Sequence, residues 1–388
     1  MLNKLLISIT FSLSLTFTQA QNSWTSKAGS PVERERATAF TIGNYGYVGT
    51  GVGGGRLRND FWRYDPETDT WSEIDTMPTL GRRGAFSFPI NNRGYVGGGV
   101  NENSLTDDEF WEYDPAQSKW LRKVNLPHGL VYADETLVGF SIGNEGYLLA
   151  SFSRSNFYMY SPTTNTWSSR ANFPGNKALG QVGFTIGGKG YVGSGSGMDY
   201  ITEFWEYDPV TNQWSKKADV PGKPRSDAVG FSIGNYGYVG LGLNHSYFQH
   251  DFWEYHPLTD TWIQIDSCHY AAWYAVGIGI GSKGYLGTGI RFSHDSGWWE
   301  YTPNISSVND IGQSEKIRVF PNPLTDILKF DSNGPEIKTF SIYSVHGQLV
   351  KTGVATDHSI PVAELPEGVY ILKLFTADKV MSKKFIKE

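Results

Sequence analysis

The stretch Asp251–Trp262 reads "DFWEYHPLTDTW", and the chain writes it more than once. Variants begin at Asp60 ("DFWRYDPETDTW") and at Glu203 ("EFWEYDPVTNQW"), so the phrase recurs about every forty-eight residues. A period of that length marks a repeat architecture, in which each unit buries its apolar face against the next. Three marks recur in fixed order. A Gly-Tyr pair stands at Gly46-Tyr47, Gly94-Tyr95, Gly146-Tyr147, Gly190-Tyr191, Gly237-Tyr238 and Gly284-Tyr285. An aromatic pair follows at Phe61-Trp62, Phe110-Trp111, Phe157-Tyr158, Phe204-Trp205, Phe252-Trp253 and Trp298-Trp299. A lone tryptophan then closes a unit at Trp71, Trp120, Trp167, Trp214 and Trp262.

The sixth unit has no closing tryptophan, whereas Trp24 stands near the N-terminus without a unit of its own. A ring accounts for both: the strand bearing Trp24 completes the last unit and leaves no long free sheet edge. Each unit predicts four strands. Ala228–Gly242 ("AVGFSIGNYGYVGLG") gives two apolar strands around a Gly-Asn turn, "DFWEYHP" a third that stops at Pro257, and the segment to Trp262 a fourth. Of 13 tryptophans, only Trp273 lies off the pattern; the others are expected to pack between neighbouring sheets.

Tyr95-Val96-Gly97-Gly98-Gly99, followed by Tyr113-Asp114-Pro115 and Trp120, resembles the kelch motif, and all six units match it in outline from residue 21 to 304. The third unit is the weakest, with Leu149-Ala150-Ser151 in place of the glycines. The resemblance implies a six-bladed kelch-type β-propeller, like the central domain of galactose oxidase, closed by the N-terminal strand.

After Asn304 the repeat stops, and a polar linker is expected over 305–316. Alternating segments over 317–388 suggest a small immunoglobulin-like antiparallel β-sandwich, which makes the whole chain all-β. Pro321, Asn322 and Pro323, then Gly347, then Gly368 and Tyr370, then Lys383 and Lys384 form a series similar to the type A sorting domain of type IX secretion. That resemblance implies type IX machinery as a partner. It also implies a secreted or cell-surface protein of a double-membrane bacterium, reached via the periplasm. Residues 1–20 agree with this: Lys4, an apolar run and Thr18-Gln19-Ala20 read as a signal peptide cleaved after Ala20. No other stretch is apolar and long enough to span a bilayer. A net charge of −6 without a basic stripe argues against nucleic acid, and the single cysteine, Cys268, excludes a disulfide framework.

Ligands of such rings sit on loops, because the strands are committed to packing. Loops entering the first strand, and those joining second to third, share one face. Arg34, Arg36, Arg82, Arg83, Arg225, Asp227, Tyr247 and Arg291 fall there. Arginines in such loops can grip carboxylate or sulfate. The loop entering the sixth unit, "CHYAAWYA", adds Tyr270, Trp273 and Tyr274 as an aromatic platform for a sugar ring. A transition-metal site from His245, His269 and His294 competes with it, as does a purely structural plug. Galactose oxidases need Tyr, His and Cys around copper. Cys268, His269 and Tyr270 offer those types bunched in one loop, a departure that speaks against copper. No cofactor is therefore expected. The expected function is binding of a glycan or a surface protein, with a sugar-modifying enzyme (mutarotase, lyase or copper oxidase) on the same face as the alternative.

Overall fold

The structure is a computed structural model that describes residues 23–103, 106–128, 137–150, 155–290, 296–303, 318–331, 337, 339–344, 349–354, 358–375 and 380–388. The expected signal peptide, the expected linker, Arg291, His294 and Gly347 lie outside the described residues.

Sheet five illustrates how the repeat folds. Val229–Ile233 alternates buried and half-buried residues, and Gly234 at φ 57° with Asn235 turns the chain into Tyr236–Gly240. Phe252–His256 pairs next, placing Val239 opposite Trp253, and ends at Pro257. Thr261–Ile265 closes the sheet with Trp262 opposite Tyr255. All four strands are antiparallel neighbours, and six sheets of this order stand between Ser23 and Thr302.

The turn before the fourth strand ties sheets one, four and five to their predecessors. Asp260, left-handed at φ 54°, accepts the Tyr255 hydroxyl at 2.8 Å and the backbone N–H of Ala218 at 2.9 Å. Trp262 Nε1 returns a bond to the Ala218 carbonyl at 2.9 Å. Asp69 with Trp71, and Asn212 with Trp214, repeat the device on Ala28 and Ala171. Short polar side chains tolerate the left-handed backbone and carry the acceptor that the junction needs.

Ser23–Lys27 joins the sixth sheet rather than the first. It pairs with Trp298–Thr302 and sets Trp24 opposite Tyr301, as Trp71 stands opposite Tyr64. Trp24 Nε1 donates to the Asp266 carbonyl of sheet five at 2.9 Å. The first strands lie innermost and neighbour one another in order from Thr38–Ile42 to Val276–Ile280, which lies beside Thr38–Ile42 again. The loops show the same succession: Gly51 N–H donates to Arg82 O, Gly195 to Arg225 O, Gly242 to Ala272 O and Gly289 to Arg34 O.

The Gly-Tyr pair has a packing cause. A Cβ on Gly94 would lie 2.1 Å from the Phe40 ring of the preceding sheet, and one on Gly237 2.4 Å from the Phe184 ring. Gly146, Gly190 and Gly284 meet Phe88, Phe140 and Phe231 in the same way, and Gly46 meets Ile278 of sheet six. The glycine is the hollow that receives the neighbour's first-strand side chain. Protein interiors are packed too densely to give up that space.

The C-terminal region forms a three-stranded and a four-stranded antiparallel sheet around Leu328, Phe330, Phe340, Ile342, Leu372, Leu374 and Phe385. Asn322 Oδ1 accepts the N–H of Ile386 at 2.8 Å, while Leu324 exchanges backbone bonds with Ile386 and Glu388. The Pro-Asn-Pro segment thereby clips the last strand. Tyr370 is buried, stacks on Phe385 and donates to the Pro366 carbonyl at 2.8 Å; Lys383 and Lys384 face solvent.

Candidate functional site

Among the described residues, the position two before the first strand is left-handed in five sheets: Arg36 (φ 50°), Gly84 (65°), Gly180 (61°), Asp227 (53°) and Tyr274 (57°). Their backbones link across sheets, with Arg36 N donating to Tyr274 O, Gly84 N to Arg36 O and Asp227 N to Gly180 O. Since the first strands are innermost, these residues ring one mouth of the axis. Three of them carry large side chains, and those three belong to the consecutive sheets five, six and one.

Arg36 lies over the Tyr274 ring at 4.1 Å and donates from Nη2 to the Tyr274 hydroxyl at 2.6 Å. Trp273 stacks on Tyr274 with ring centres 4.3 Å apart and planes 27° apart. Its backbone is pinned by two bonds with Ile290, at 3.2 and 2.9 Å. Both rings are half-buried. Asp227 accepts the Ser226 hydroxyl at 2.8 Å. Its Oδ1 leans over Gly180, where a Cβ would come within 2.3 Å. Burial pushes the Asp227 carboxyl up to about 6, against the opposing effects of the Ser226 bond and the Arg36 charge. An aromatic face, a guanidinium and a carboxyl that titrates near neutral pH therefore share one mouth.

Several residues expected on this face are committed to the fold instead. Arg225 is buried and grips Asp251 with two bonds of 2.7 Å, while Nη1 also reaches the Leu241 carbonyl. Arg34 does the same with Asp60 and Thr50 O, and Arg82 with Asp107, Glu109 and Gly98 O. Burial acts to raise the Asp251 carboxyl, but Arg225 overrides it and holds it below the usual range. Sheet six has Ala272 and Gly297 in place of this arginine and acid, and there the buried Tyr270 hydroxyl bonds the equivalent carbonyl, Thr288 O. Tyr270 and Arg225 thus serve one structural purpose, and neither reaches a ligand. A buried carbonyl at the end of the second strand must be satisfied from within the protein, and the loop supplies whichever donor fits.

Of the remaining candidates, Arg83 is half-buried in the short pairing with Val100, in the loop of sheet two. Tyr247 is 69% exposed at the tip of a hairpin in sheet five, with Lys223 Nζ 5.8 Å from its ring. His245 is exposed and edges onto Tyr200 at 5.0 Å, and His269 is exposed. Among the described residues, no three His, Cys, Asp or Glu side chains are placed to hold a metal. Cys268 is buried in the same core as Tyr270, where burial pushes its thiol up to about 12, while His269 is exposed to solvent, so the three residue types that suggested copper do not converge. Sequence reasoning overlooked Ser226 and Gly180; their signal was position, immediately before Asp227 and at its counterpart in sheet four.

Comparison with known proteins agrees with this architecture. A family model described as the Kelch motif matches residues 36–78, and one described as the Secretion system C-terminal sorting domain matches residues 318–388. The solved structure titled "Structure of YjhT" resembles the chain with a TM-score of 0.57 at 16% identity, covering 70% of this chain and 95% of that one. No curated protein sequence matches. The fold is that of a kelch-type β-propeller. Residues 36–78 carry a kelch motif, and residues 318–388 form a type IX sorting domain, which directs export to the cell surface or the extracellular space. No helix among the described residues is long and apolar enough to cross a membrane.

Proposed function

We propose that this exported propeller is a binding module that takes a glycan, free or on a surface protein, at the axial mouth formed by Trp273, Tyr274, Arg36 and Asp227. The observation that carries the reading is the Trp273–Tyr274 stack with Arg36 over the tyrosine ring. Sugar rings offer axial C–H groups to an aromatic face and hydroxyls to flanking charged groups, and both kinds of partner converge here. Export to the cell exterior puts the module where polysaccharides are met. The signal peptide at 1–20 belongs to the same proposal, as the route to the periplasm.

A glycan array probed with the exported protein tests it. Trp273→Ala and Arg36→Ala should each weaken a positive signal at least tenfold while leaving the melting temperature near that of the parent; binding that survives both substitutions overturns the reading. One observation favours a second reading. The Asp227 carboxyl, raised to about 6, can give and take a proton near neutral pH, as a sugar mutarotase requires. Acceleration of anomer exchange by the parent, abolished by Asp227→Asn, would establish it.

A further inference from the structure

The opposite end of the propeller, where the Tyr-Asp-Pro turns lie, departs from the repeat in sheet three, where Tyr147 faces Met159, and in sheet one, where the change brings in a charge. In the register, the second-strand tyrosine of each sheet faces one residue of the third strand. That residue is glutamate in four sheets: Tyr95 faces Glu112, Tyr191 faces Glu206, Tyr238 faces Glu254 and Tyr285 faces Glu300. Each of these tyrosines donates its hydroxyl to its glutamate at 2.6–2.7 Å. In sheet one the pair is Tyr47 and Arg63.

Two consequences follow for the side chains. Among the described residues no carboxylate pairs with Arg63; its guanidinium lies over the Tyr45 ring at 4.6 Å, and its buried Nε has no hydrogen-bond partner. Tyr47, 2% exposed, has lost the acceptor that its counterparts use. Both line a cavity of about 600 Å³ between sheets one and two, together with Tyr113, Ser118, Glu73 and Asp75. An adjoining cavity of about 380 Å³ shares Tyr47, Arg63 and Pro115. The positive charge of Arg63 is felt by both phenols, partly opposing the burial that raises them. An arginine without an acid, over a recess floored by hydroxyls, is the arrangement that receives a planar anion through two parallel bonds.

We propose that this groove is a second binding site, specific for a carboxylate-bearing sugar of the uronic acid class. Arg63 takes the carboxylate in a fork, and Tyr47, Tyr113 and Ser118 bond ring hydroxyls. Glu73 and Asp75 are exposed at the rim. There water screens their repulsion of the anion, and they remain free to accept sugar hydroxyls. The site is independent of the axial mouth and stands or falls without it.

The test is calorimetric titration of the full exported chain with D-glucuronate and D-galacturonate, with D-glucose as the neutral control. Arg63→Glu is the decisive variant, because it gives Tyr47 the carboxylate that Tyr238 has in sheet five; Asp65 stands where His256 bonds Glu254 there, so Asp65→His accompanies it. It should fold, hydrogen-bond Tyr47 and abolish uronate binding. Arg63→Gln, which removes the charge with little change in volume, should weaken binding at least about tenfold, the range of a charged hydrogen bond, and gives a second reading if Arg63→Glu does not fold. Absence of uronate binding by the parent at millimolar concentration, equal binding of glucose, or binding retained in the Arg63 variants overturns the proposal.

Discussion

Replacing Arg225 by alanine separates a structural arginine from a ligand-binding one. Arg225 is 1% exposed and the Asp251 side chain 20%. The substitution removes two bonds of 2.7 Å to Asp251, one of 3.2 Å to the Leu241 carbonyl and one of 3.0 Å to the Lys223 carbonyl, and it leaves the Asp251 carboxylate with the Trp253 indole as its side-chain donor. Removing one partner of a buried pair costs about 3–5 kcal/mol, and the residual water contact of Asp251 points to about 3 kcal/mol. For a domain of this size that is a fall in melting temperature of roughly 5 °C. The pH dependence has a definite sign. In the parent, Asp251 is held below its usual range, so its contribution is present at neutral pH and is lost as pH falls through its folded value. In the variant only the Trp253 indole and a backbone bond still oppose burial, so the carboxyl lies higher than in the parent and the variant gains stability relative to the parent on acidification. Melts followed by tryptophan fluorescence at pH 7 and pH 4 should show the gap at pH 7 and a smaller one at pH 4. Adding Lys223→Tyr and Asp251→Gly copies the Tyr270, Ala272 and Gly297 arrangement of sheet six and should restore part of the loss. A variant that melts with the parent, or a gap independent of pH, refutes the reasoning.

Three further outcomes are expected. Gly237→Ala places a methyl 2.4 Å from the Phe184 ring and should destabilise by about 1–3 kcal/mol in urea titration. Cys268, with its thiol pushed up to about 12 by burial, should resist alkylation in the folded protein at neutral pH and react only on unfolding, as mass spectrometry would show. Asp227, raised to about 6, destabilises the folded state as it ionises. Stability should therefore fall as pH rises through about 6, and Asp227→Asn should flatten that limb of the melting profile.

The spacing of the aromatic marks was enough to read four strands per unit and to assign Trp24 to the last one. The reason is that each mark has one local geometric duty: alternation along a strand, a left-handed turn residue, or a ring packed on the next sheet. The sorting motif was legible for the same reason, since Asn322 and Tyr370 act on backbone within one small domain. The loop face was only partly legible. Arg36 and Arg34 are two residues apart, yet the first reaches the mouth and the second is buried against Asp60. Alternation in a loop has no fixed period, so composition could not separate them.

By itself, then, the sequence determined a repeating all-β architecture, the pairing of its N-terminal strand with the last sheet and an export module, because periodic packing is written into neighbouring residues. Tertiary structure decided which loop side chains are spent on buried carbonyls and which stay at the surface. Tyr270 and Tyr274 show the difference: both are aromatic and four residues apart, but one answers Thr288 O inside sheet six and the other meets Arg36 from sheet one. The exchange of glutamate for Arg63 is plain in the sequence, and only the pairing of Tyr47 with it across the strands gives that exchange a meaning. Both distinctions depend on partners more than fifteen residues away, and only the folded backbone brings those partners together.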